Sequence, residues 1–140
     1  MSWIESHQSL EREEKVFRLR KALGWDKNTA IGFLHRFWWL ALEQTPNGDV
    51  SGLDVELVSE LLDMKPESTA QAMEAMENIG FLDRTAEGRL LIRNWIKYTK
   101  RYLRDTLWKS EPEKLSATEA LFAGAVLAPP KIGRKSAENP

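Results

Sequence analysis

Cysteine is missing from the 140 residues, and histidine occurs only at His7 and His35. Disulfides, thiolate metal sites and thiol catalysis are thereby excluded. Two histidines without paired carboxylates beside them do not make a metal-ligand set. No apolar run approaches the roughly 18 residues of a membrane span, and the first residues lack the cationic and apolar regions of a signal peptide. Neither a Gly-rich phosphate loop ending in Gly-Lys-Ser/Thr nor a Gly-x-Ser-x-Gly nucleophile turn is present. Charge of one sign is not in excess either: 20 Lys and Arg face 21 Asp and Glu, a net charge of −1. A nucleic-acid-binding face must therefore be local. These absences predict a soluble, cytoplasmic protein that is not an enzyme, with no catalytic residues, metal or cofactor.

Aromatic rings are plentiful, with six Trp and five Phe, each able to bury about 150–250 Å². The length suits one domain and a tail. Between 53 and 62, apolar residues at 53, 57, 58, 61 and 62 fall on one helical face. Met64-Lys-Pro66 interrupts that helix, and Pro66 suits the first turn of another. The second helix runs to about Ile79, burying Ala72, Met73, Ala75, Met76 and Ile79, and stops at Gly80. Residues 81–84 and 89–93 then flank the turn Thr85-Ala-Glu-Gly88. The outline is a winged helix-turn-helix, in which Asp49-Val-Ser51 supplies a third short strand and Ser51 caps the helix from Leu53.

Upstream, Trp3-Ile4-Glu5-Ser6 reads as extended. A helix opens at His7, Gln8 or Ser9 and ends at Gly24, with Val16, Leu19 and Leu23 on its apolar face. The next helix, 27–44, is capped by Asp26 or Asn28 and is apolar around most of its circumference. Such a helix is buried on several sides or pairs with another chain, making Phe33, Phe37, Trp39 and Leu40 candidate dimer-interface residues. His35, on the same helix, reads as a satisfied, half-buried residue. After the wing, 94–109 forms a final long helix. The expected fold is mainly α with a small β-hairpin or three-stranded wing, a winged helix-turn-helix with extra N- and C-terminal helices. The domain spans 3–109. A tail follows over 110–140, with a short helix at 117–128 opened by the capping box Ser116-Ala-Thr-Glu119 and a disordered end at 129–140.

The pattern resembles the N-terminal winged-helix domains of phage and bacterial replication-initiation proteins, the replisome-organiser and DnaD-type group. The residues carrying the resemblance are Lys15-Val-Phe-Arg-Leu-Arg-Lys-Ala-Leu-Gly24, Ala30-Ile-Gly-Phe-Leu34 leading to Trp38-Trp39, and Pro46-Asn-Gly-Asp49. They continue with Ile79-Gly-Phe-Leu-Asp83 and Ile92-Arg-Asn-Trp95 with Tyr98. The similarity spans about 3–103; the Gly-Phe-Leu-Asp hairpin is widespread, and the Arg-Asn-Trp ending is more particular. It implies origin-DNA binding or self-association during helicase loading. The chain leaves no room for the second helical domain that usually follows in the DnaD type.

Charge distribution decides which surface such a domain offers. From Glu60 to Ile79 one base faces five acids, a balance of −4. Gln71 and Asn78 are candidate base-reading residues on that helix, but its glutamates repel phosphate, which usually supplies most of the affinity. From Arg84 to Lys109 eight bases face two acids, a balance of +6. Arg84, Arg89 and Arg93 surround the wing, while Lys97, Lys100, Arg101 and Arg104 form a stripe along the last helix. These seven are the candidate DNA-binding residues, gripping phosphates without close sequence reading. The same stripe also suits the plain solvated side of an amphipathic helix. Two functions follow: a DNA-binding protein of phage or mobile-element replication, or an assembly module that dimerises and recruits a replication partner through its tail. A transcriptional regulator on the same scaffold remains a third.

Overall fold

A computed structural model describes residues 14–129 of the chain. The expected extended segment 3–6, the start of the first helix, His7 and residues 130–140 lie outside this range. In order, the elements are α1 (Glu14–Leu23), α2 (Lys27–Gln44), α3 (Val55–Leu62), α4 (Pro66–Ile79), β1 (Leu82–Arg84), β2 (Leu90–Ile92), α5 (Trp95–Tyr102) and α6 (Pro112–Ala123), with a π-helical turn at Leu103–Leu107.

Local chemistry sets most boundaries. Asp26 caps α2 by accepting from Thr29 N at 2.7 Å, and this bond holds its pKa below the usual carboxylate value. Asp54, and not the expected Ser51, caps α3 through Leu57 N. The helix starts at Val55, two residues after the expected Leu53, and Ser51 instead donates to Asp49. Asp63 ends α3 in the left-handed region, and Pro66 opens α4 where its missing N–H costs nothing. Gly80, at φ 106, ends α4, and Lys15 from α1 donates to its carbonyl at 3.1 Å. A cation there also complements the helix dipole.

The core lies between α1, α2, α4 and the hairpin, with Leu19, Leu34, Phe37 and Met76 wholly buried. Phe33, Phe37 and Leu40 belong to this core, which corrects their assignment to a dimer surface. The apolar circumference of α2 is covered from within the chain. Of the four candidates only Trp39 is exposed. His35 matches its expected role, with Nδ1 3.1 Å from Ile31 O and its ring edge-on to Trp38. A second correction concerns α3, which buries Val58 and Leu62 but leaves Leu57 and Leu61 in solvent.

The hairpin is antiparallel, pairing Leu82 with Ile92, Asp83 with Leu91 and Arg84 with Leu90. Gly88, at φ 93, completes its turn. The expected third strand contracts to a single bridge between Asp49 and Leu91, flanked by Val50 N–Leu90 O and Ile92 N–Gly48 O bonds. A bridge on the other edge joins Thr85 to Leu127, with bonds from Ala86 N to Val126 O and from Ala128 N to Arg84 O. Both hairpin edges are thus covered.

The last elements depart furthest from expectation. Instead of one helix over 94–109, α5 widens at Leu103, where Trp108 N donates to Leu103 O at 2.7 Å. This five-residue step lets both Leu103 and Trp108 reach the core. The tail helix begins at Pro112, which sits in its first turn, and ends at Gly124. Ser116 is therefore inside α6 and forms no capping box. Leu115 and Thr118 pack inward, so the segment to 128 docks on the domain instead of standing apart as a tail.

Candidate nucleic-acid interface

The hairpin holds Arg84, Arg89 and Arg93 where the sequence places them, but each has a carboxylate waiting. Arg84 reaches back to α4 and donates from Nε and Nη2 to the two oxygens of Glu77, at 3.2 and 3.1 Å. Arg93 donates to both oxygens of Asp83, the shortest bond being 2.6 Å. These bonds raise its pKa above the ordinary guanidinium value. Arg89 donates to Asp49 at 2.6 Å, forty positions away in the chain. Burial pushes the Asp49 pKa up, but Ser51 N, Ser51 Oγ and Arg89 together bring it below the usual value.

The helical stripe is interrupted in the same way. Lys100 pairs with Glu119 of α6 at 2.9 Å. Arg104 pairs with its neighbour Asp105 at 2.7 Å; the bond lowers the aspartate pKa and raises that of the arginine. Lys97 lies over the Tyr98 ring, 5.6 Å from its centroid. Among the described residues, Lys97 and Arg101 make no salt bridge. Four carboxylates from outside 84–109 or from the neighbouring strand (Asp49, Glu77, Asp83 and Glu119) cut the local balance from +6 to +2.

Five of the seven candidate cations are therefore answered by carboxylates within the chain. Gln71 and Asn78 are exposed on α4 with Glu67 and Glu74, so the helix that reads the groove in other helix-turn-helix proteins is anionic here. The wing's outer edge is closed by residues 126–128. No group of three His, Asp or Glu able to hold a metal occurs among the described residues, and none of their helices is long and apolar enough to cross a membrane.

Residue counting along the chain missed the partners, because Asp49 and Glu119 read locally as strand and helix residues. It also missed a cleft between the first turns of α2 and the α3–α4 turn, lined by Arg36, Lys65, Trp25 and Phe33. One signal for it was present: Gly32, an isolated glycine inside a long helix.

These features define a mainly helical, winged-helix-like protein with a closed wing. The chain matches no protein-family model, no curated protein and no solved structure.

Proposed function

We propose that the protein is an assembly module on a winged-helix scaffold that acts in phage or mobile-element DNA replication, as its resemblance to replication-initiation domains implies. The carrying observation is the internal neutralisation of five of the seven candidate phosphate-binding cations. A phosphate would approach each of these cations beside a carboxylate already paired with it, which offsets part of the attraction. Leu57 and Leu61, one turn apart on α3, are 39% and 45% exposed, and exposed Glu56 and Glu60 lie beside them. This mixed apolar and acidic face suits a protein partner better than DNA. Covering the two leucines contributes about 1 kcal/mol each, since both are already more than half buried.

Solution mass against concentration tests the module. Self-association at high micromolar concentration is expected in the native chain, and its loss in Leu57→Glu with Leu61→Glu. A monomer at every concentration overturns the reading.

One observation favours DNA as a second reading: Lys97 and Arg101 are exposed without salt bridges among the described residues. Two phosphate contacts give a log–log salt slope of about −2, whereas all seven cations give about −6. A measured slope steeper than about −4 on duplex DNA would restore the wing and α5 as the main interface.

A further inference from the structure

The cleft beside α2 has a volume of about 450 Å³, within the range of small-molecule pockets. Its apolar wall comes from Trp25 and Phe33, whose rings meet edge to face at 5.2 Å and 63°, and from the Met64 thioether. Gly32 forms part of the wall, and a Cβ placed there would meet nothing within 4 Å. No packing within the described residues explains a glycine in mid-helix; a molecule lying close against the backbone would. Arg36 and Lys65 also line the space. In contrast to the wing arginines, neither makes a salt bridge among the described residues. Arg36 is oriented by donating to Leu62 O at 3.0 Å, which uses one of its five N–H groups. Asp63 is the one acid among the described residues of the lining, so cations predominate there.

We propose that this cleft binds a small aromatic carboxylate, with the ring over Gly32 against Trp25 and Phe33 and the carboxylate on Arg36 and Lys65. An apolar wall with two cations at one site selects a flat ring joined to an anion. The ring alone leaves the cations unused, and an aromatic amine is repelled. This reading is independent of how the protein associates.

The test is a titration of the ¹⁵N-labelled full chain with phenylacetate and indole-3-acetate, using phenethylamine as the cationic control. Backbone amides of Gly32 and Lys65 should shift and saturate with the acids, with a dissociation constant of about 1 mM or tighter, a value set by ligand size. Lys65→Gln, at an exposed position, should weaken binding about tenfold by removing a charge-assisted bond. Gly32→Leu, which fills the space, should abolish it. Absence of saturable shifts with either acid overturns the proposal. So does equal binding of phenethylamine, retained affinity in Lys65→Gln, or saturation confined to residues remote from Gly32.

Discussion

The wing and the α2 cleft are made of the same materials, cations, rings and a glycine apiece, and they differ in what surrounds them. At the base of the wing the glycine is closely packed. Gly48, at φ 79, lies so close to Trp95 that a Cβ would come within 2.5 Å of the indole and 2.9 Å of Phe122. The indole itself is pinned by its bond to Pro46 O at 2.8 Å. The neighbouring arginines are answered by Glu77, Asp49 and Asp83. At the cleft, Gly32 opens onto empty space, and Arg36 and Lys65 have no salt bridge among the described residues. The contrast teaches that a cluster of positive residues is not itself a binding surface. What matters is whether the fold has already supplied the counter-charge and filled the volume.

The largest test of this contrast is a methyl group at Gly48. Gly48→Ala combines a positive φ with a collision against a buried indole that cannot swing away, and should cost about 3 kcal/mol or more. Thermal unfolding should shift down by roughly 10 °C or more. A change below about 1 kcal/mol would mean that the wing base is looser than its packing implies.

An intermediate effect is expected at Asp49, which ties Arg89 of the wing to the loop after α2. Folding lowers its pKa below the ordinary 3.8. The folded state therefore takes up the proton less readily than the unfolded chain. The resulting stabilisation is complete above the unfolded value and disappears as pH falls through the folded one. Asp49→Asn should cost about 1 kcal/mol at neutral pH, because Arg89 is half exposed and the pair is screened. Denaturant midpoints followed from neutrality to about pH 3 should converge for the two proteins as the native carboxylate protonates. A gap that stays constant across that range would remove ionisation as its cause.

Sequence patterning revealed the helix-turn-helix well, because its signals are local. Pro66 and Gly80 act on their own helix ends, and the turn at 85–88 needs only Gly88. Leu57 and Leu61 were misread for a related reason: a short helix with apolar residues at five positions does not say which stripe meets the core. The wing's electrostatics were illegible because the partners are distant, Glu77 seven positions from Arg84, Glu119 nineteen from Lys100 and Asp49 forty from Arg89. A charge count along one segment cannot include carboxylates that arrive by tertiary folding. The closing bridge at Leu127 had a visible signal in Gly124, but the apolar residues on either side suggested an uninterrupted helix.

The smallest effect has the opposite sign and bears on the cleft. Glycine inside a helix costs about 0.5–1 kcal/mol relative to alanine through backbone entropy. At Gly48 packing explains the glycine; at Gly32 nothing within 4 Å does. Gly32→Ala should therefore stabilise the protein by about 0.5–1 kcal/mol, read as a higher denaturant midpoint at unchanged slope. Neutral or destabilising behaviour would mean that the backbone at Gly32 is held by packing after all. A gain would show that the fold carries a cost at this position with no structural return. Such a gain is also what the proposed ring contact over Gly32 requires, because it leaves the space beside the helix open to a ligand.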